Sequence, residues 1–409
     1  MKLKFAGVLL VAAITCSSAI GQTYNTLINN GASSNRVDMI FIGDGYTSSQ
    51  INSVYVDHIN STLDHFFNSS LGSPLTRYDK FFNVHRVNVI SNESGADRPP
   101  ENIFKDTALD ASYWWGGTER CLYFNTTKAN NAVAIALSGS GIDTNDGMLL
   151  GVVNDDKYGG CGGQWGVYAG ANGSAREVAL HEIGHSFANL ADEYAYGGPA
   201  NYSGGEPGAW NLTKNPSTGK WDRWVGYVDP DTNIGAIGYY QGGGYSETGI
   251  YRPSDDSKMR ALNRPFDAIS REKFINDIYE EVDPLDSWLD NSSTLLDPNS
   301  LWVDTVDPSV INVKWFLDGN PLGLMGETLD LMSLGLGIGQ YEFTAYSYDS
   351  ILDHAFTGDS LDWWRLDATP LEQSVSWTVL WSIPEPTSIP VCLAVMVLAS
   401  YRRNRRINA

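Results

Sequence analysis

Two of the six histidines, His181 and His185, flank Glu182 in the run His181-Glu182-Ile183-Gly184-His185. Leu180, Ile183, Phe187 and Leu190 recur through this segment at helical spacing, and Ser174 stands where a helix N-cap belongs. Four residues make about one helical turn, so both imidazoles leave the same face. This spacing suits two nitrogen ligands on one Zn2+. Glu182, at the edge of that face, can take a proton from a water activated by the ion and hand it to a leaving amine. The encoded chemistry is hydrolysis of a peptide bond with Glu182 as general base. The bland alternative is a helix with two histidines and a glutamate on a solvated face.

A catalytic zinc needs a third protein ligand. On a straight helix Asp192 would lie roughly 10 Å along the axis from His185. The helix is therefore expected to end near Asn189, with the chain turning back. Asp192 is the first choice of ligand, Glu193 the second, and Glu206 stands behind both. The remaining histidines, His58, His65, His85 and His354, are isolated and read as structural. Asp229, Asp231 and Asn233 have the look of a Ca2+ loop, but Ile234 replaces the turn glycine, so a solvated turn is expected. Trp114-Trp115 and Trp363-Trp364 read as core.

The elements that must position these groups alternate. Val37 to Ile42 is a buried-strand run ending in the turn Gly43-Asp44-Gly45, and Ile51, Tyr55, Ile59, Leu63 and Phe66 mark a helix. Strands are predicted at 84–90, 132–137, 149–153 and 165–168, and a helix over 271–282. The alternation predicts an α/β domain. Residues 197–249 are rich in Gly, Tyr, Trp and Pro with little periodicity, a length of irregular chain that points to function. Trp165–Tyr168, next before the helix of the histidines, could pair with an extended substrate. Residues 283–300 read as a linker. Beyond them short strands at 310–317, 328–332, 341–348 and 375–381, with a turn at Asp318-Gly319-Asn320, predict a small β-sandwich.

Both ends carry processing signals. Residues 1–21 combine Lys2 and Lys4, an apolar run and small residues before a cleavage position, as in a signal peptide. At the other end Pro384-Glu385-Pro386 precedes a short apolar stretch and Arg402, Arg403, Arg405 and Arg406. Removal of both would shift the formal charge from −21 to −27, which argues against nucleic acid and anionic membranes as partners. Cys16 and Cys392 fall inside these segments, leaving Cys121 and Cys161 to pair in an exported protein.

The segment HEIGHSFANLADEY closely resembles the zinc motif of the bacterial IgA metallopeptidase family, a metzincin-like group. NGASSNRVDMIFIGDGYTSSQ at 30–50 and YGGCGGQWGVYAG at 158–170 resemble the family's opening strand and the run before its zinc helix. YRPSDDSKMR at 251–260 resembles its Met-turn, which would place Met259 beneath the zinc. The general metzincin pattern has glycine and a third ligand where Ala188 and Ala191 stand here. WFLDGN and LGIGQYEFTAYSYD resemble the immunoglobulin-like domain that often follows, and the C-terminal arrangement resembles the PEP-CTERM sorting signal. These resemblances imply a signal peptide (1–21), a metzincin-like zinc peptidase domain (22–290), an immunoglobulin-like β-sandwich (300–382) and a sorting tail (383–409). The implied protein is an exported endopeptidase of the cell envelope or surface, or secreted after C-terminal processing. It would act on extracellular proteins or peptides, meet an exosortase-type enzyme, and associate transiently with the membrane through its tail. The rival function is a surface or matrix binding protein on the same fold, against which an intact Glu182 argues. Nothing in the resemblance makes IgA the substrate.

Overall fold

The computed structural model describes residues 22–144, 147–217 and 219–382. The expected signal peptide and sorting tail lie outside the described residues. In chain order the first part contains β1 (Thr23–Ile28), β2 (Val37–Asp44), α1 (Val54–Asn68), β3 (Phe82–Asn88), α2 (Thr126–Ala136), β4 (Met148–Val153), β5 (Gly160–Cys161), β6 (Gly166–Ala169) and α3 (Ala175–Ser186). The six strands form one sheet in the order β1-β3-β2-β4-β6-β5. Its four central strands are parallel, while β1 and β5 run antiparallel at the edges.

Every residue of β2 is buried, as a central parallel strand covered on both faces requires. Side-chain alternation splits the strand between two cores. Met39 and Phe41 pack with α1 and α3, and Ile40 and Ile42 pack with α2. The segment 132–137, read as a strand, belongs to α2. Asn125 caps that helix by accepting from Lys128 N at 3.2 Å, and Ala129, Ala132 and Val133 are buried at helical spacing. Ser174 does precede α3, but its hydroxyl makes no cap bond.

Next come an irregular segment, the hairpin β7 (Tyr240–Gly243) and β8 (Ser246–Arg252), and α4 (Ala268–Glu281), which joins the core of α1 and α3. The remaining strands are β9 (Leu285–Trp288), β10 (Leu295–Leu296), β11 (Ser300–Thr305), β12 (Ile311–Leu317), β13 (Asn320–Met325), β14 (Thr328–Asp330), β15 (Gly339–Asp349) and β16 (Glu372–Trp381). They form a five-stranded sheet, β10-β16-β15-β12-β13, and a three-stranded sheet, β14-β11-β9. Leu301 and Val303 from one sheet share an apolar core with Trp315, Phe343 and Trp377 from the other. At the β12–β13 turn Asp318 and Gly319 both take positive φ, 47° and 77°, the twist that a two-residue hairpin needs.

Residues 283–300 are not a linker, because β9 and β10 pair into the two sheets there. The β-rich part is also joined to the α/β part. Asp349, fully buried at the end of β15, accepts from the hydroxyls of Tyr78 and Tyr279 at 2.7 Å and from Arg77 at 2.9 Å. Trp363 and Trp364 are buried in the core of α1, α3 and α4, as expected. Trp114 and Trp115 are instead exposed, since Trp114 takes a positive φ of 63° in a turn closed by Gly116 and Gly117.

Candidate metal centre

The helix α3 lays Val178, Ala179 and Ile183 on the sheet core and turns His181 and His185 toward a cleft of about 1080 Å³. Its outer neighbour is the edge strand β5. A Cβ on Gly160 would fall 2.3 Å from Val178 Cγ1, and one on Gly162 would fall 2.5 Å from His185 Cβ. The glycines let the strand press against the helix. A disulfide joins Cys161 of β5 to Cys121, with Cα atoms 4.9 Å apart.

The helix stops at Ser186, and Asn189 takes a left-handed φ of 48°, which asparagine tolerates better than most residues. Leu190 N then donates to Gly184 O at 2.8 Å, and the chain reverses. This reversal carries Asp192 back to the histidines. Its Oδ1 lies 3.0 Å from His181 Nε2 and 3.3 Å from His185 Nε2, and the two Nε2 atoms are 3.2 Å apart. His181, His185 and Asp192 together form a group able to hold a metal ion.

Tautomers sharpen this reading. His181 Nδ1 lies 3.0 Å from Lys258 O, and His185 Nδ1 lies 2.7 Å from Leu190 O. A carbonyl only accepts, so both Nδ1 atoms donate. Each Nε2 lone pair then faces the other and a carboxylate oxygen. Three converging acceptors need a cation among them or an added proton. Without a metal, burial opposes charge on His185, but Asp192 beside it outweighs burial and pushes the imidazole up to about 9.

Glu193 is not brought to this cluster. It is fully buried behind it, accepting from Asn211 Nδ2 at 2.9 Å and from the Ser257 hydroxyl, and burial pushes its carboxyl well up. Its backbone N–H donates to Met259 O at 2.9 Å. Met259 lies in a turn beneath α3, with its Sδ 2.5 Å from where a Gly184 Cβ would stand. The same turn supplies Lys258 O to His181, and the buried Lys258 ammonium is paired with Glu177 of α3. Glu206 sits apart, near Lys214 and Lys220. Glu182 is 7% exposed and lines the cleft, and burial raises its carboxyl pKa.

Sequence reasoning missed the residues that steady Asp192. The Tyr245 hydroxyl donates to Asp192 Oδ2, and Gly244 N donates to Asp192 O at 2.8 Å. Gly242, Gly243 and Gly244 all take positive φ just before Tyr245, so the only signal was the glycine- and tyrosine-rich stretch itself. Asn211 clamps Ala191 by both its amide oxygen and nitrogen, each at 2.8 Å. The other histidines have structural partners: His58 with Tyr46, His65 with Glu177, His85 with Asp38 and His354 with Asp359. Asp229, expected in a solvated turn, is buried and paired with Arg271. The strand β6 is flanked by β4 and β5, so Trp165–Tyr168 has no open edge for a substrate. That edge belongs to β5.

A mixed α/β chain with this cluster in a cleft has the makings of a metal-dependent hydrolase. The model of the family described as IgA Peptidase M64 matches residues 26–234, just over half of the 409, and the chain belongs to that metallopeptidase family. The match includes His181, Glu182, His185 and Asp192 and ends before Tyr245 and Met259. No curated protein matches the chain.

Proposed function

We propose that this chain is a zinc endopeptidase acting on extracellular proteins, with His181, His185 and Asp192 as zinc ligands and Glu182 as general base. The observation that carries the proposal is the convergence of two Nε2 lone pairs and Asp192 Oδ1 within 3.3 Å, with both Nδ1 atoms committed to carbonyls. Two nitrogens and one oxygen on a tetrahedral site suit zinc and leave one position open. When bound, the ion lowers the pKa of a water and polarises a carbonyl.

The protein's own groups do the rest. Glu182, beside the cluster and raised by burial, takes the proton of the attacking water and returns it to the leaving amine. Lys258 O and Leu190 O fix the orientation of the two imidazoles. Tyr245 holds Asp192 by the oxygen that does not face the histidines. Just past β5, Gly162 and Gly163 line the cleft, and an extended substrate can lie along this backbone as an added strand.

The reversal after α3 and the methionine turn beneath it support a metzincin-like centre, and the paired β-sheets support an immunoglobulin-like reading of the C-terminal part. The disulfide fits an oxidising compartment. Export, cell-envelope sorting by an exosortase-type enzyme and transient membrane association rest on the terminal sequence signals. Measured zinc content together with digestion of casein or gelatin tests the proposal. Zinc-dependent cleavage is expected, and zinc-loaded protein that leaves both substrates intact contradicts it.

A further inference from the structure

The cleft lining is charge-balanced among the described residues, in a chain that is strongly acidic as a whole. The protein carries a formal charge of −21, yet among the described residues the only acidic side chains lining the cleft are Glu182 and Asp192. Both belong to the proposed catalytic centre. Two arginines, Arg120 and Arg260, line the same space. Arg260 is partnered by Asp255. Arg120 forms no ion pair among the described residues, and its one side-chain hydrogen bond there runs from Nη2 to the Tyr194 hydroxyl at 2.7 Å. A guanidinium has five N–H donors in a planar fork, so most of this fork has no hydrogen-bond acceptor among the described residues.

Arg120 is also firmly mounted. Its carbonyl accepts from Gly160 N of β5 at 3.1 Å, and the next residue, Cys121, is disulfide-bonded to Cys161. Its guanidinium lies over the rings of Tyr194 and Tyr196, 5.2 and 5.8 Å from their centroids. A cation held at the substrate edge by a disulfide, a strand contact and two rings is preorganised to meet an anion.

We infer that Arg120 determines specificity: the cleft selects peptides that carry an Asp or Glu side chain close to the scissile bond, and the Arg120 fork binds that carboxylate. The inference rests on the peptidase reading and narrows its substrate class. A carboxylate there would accept the bidentate pair that guanidinium geometry favours, while lysine-bearing peptides would be repelled.

The test is a cleavage-site profile of a peptide library by the metal-loaded protein, followed by kcat/KM for a matched pair with Glu or Gln at the enriched position. The wild type is expected to prefer Glu by about tenfold. Arg120→Gln should bring the ratio close to one, and Arg120→Lys, which keeps the charge, should restore part of it. Cleavage with no acidic enrichment overturns the inference and leaves the peptidase standing. A Glu-to-Gln ratio that Arg120→Gln does not change also overturns it, and reduces Arg120 to a support for Tyr194. Failure of the metal-loaded wild type to cleave any peptide overturns the peptidase reading and the inference with it.

Discussion

Gly184 and Met259 touch: a Cβ on Gly184 would stand 2.5 Å from Met259 Sδ and 3.1 Å from its Cε. The turn that orients His181 through Lys258 O therefore rests directly on the helix that carries both histidines. Gly184→Ala would gain about 1 kcal/mol of helix propensity. Overpacking a filled core costs about 1–3 kcal/mol, and the buried Met259 must shift its Sδ and Cε to admit the methyl. The variant should melt at a lower temperature and bind zinc more weakly. Unchanged melting and affinity would show that Met259 yields freely.

The same turn separates the two acidic residues after the helix. Asp192→Ala should lose zinc strongly, since it removes the oxygen nearest both Nε2 atoms. Glu193→Ala should keep zinc and lose stability by roughly 1–3 kcal/mol, because Asn211 and Ser257 lose a buried acceptor. Zinc stoichiometry and chemical denaturation of both variants decide it. Full zinc retention in Asp192→Ala with loss in Glu193→Ala would reverse the assignment.

Proton release reports on the centre independently. In the metal-free protein Asp192 holds His185 up to about 9, above the usual 6.5. Below about 9 an incoming cation must expel that proton, so apparent zinc affinity should rise about tenfold per pH unit up to that value. The raised value also stabilises the metal-free fold. That contribution is fully present below about 6.5 and is lost as the pH climbs through about 9. Calorimetry at pH 7 in two buffers of different ionisation enthalpy should show close to one proton released per zinc. No release would mean that His185 is neutral before binding.

Much of this centre was legible because local rules and tertiary structure agree. The i, i+4 histidines needed only a helix, and the apolar run 37–42 needed only covering on both faces. The reversal near Asn189 followed from asking how Asp192 could reach back, and asparagine's tolerance of left-handed φ is what permits it. Tyr245 and Arg120 were not legible. Tyr245 reaches Asp192 from 53 residues further on, along mostly irregular chain, and Arg120 lines the cleft from a turn before α2; in neither place does periodicity mark which side chain turns inward. The segment 132–137 misled because Ala-Val-Ala-Ile-Ala alternates like a strand, while the burial that counts, Ala129, Ala132 and Val133, follows the helix. At 283–300 polar composition resembled a linker, yet short edge strands carry the same residues.

The central claim is that Glu182 drives hydrolysis at a zinc held by His181, His185 and Asp192. The most direct measurement is turnover of one protein substrate by zinc-loaded wild type and Glu182→Ala at equal zinc occupancy. Among the described residues the Glu182 side chain makes no hydrogen bond or ion pair that holds the helix, so the variant should fold and keep its zinc. Glu182→Ala should lose roughly 10²–10⁴-fold in kcat, the usual contribution of positioned proton transfer. Near wild-type turnover by Glu182→Ala with zinc in place would contradict it.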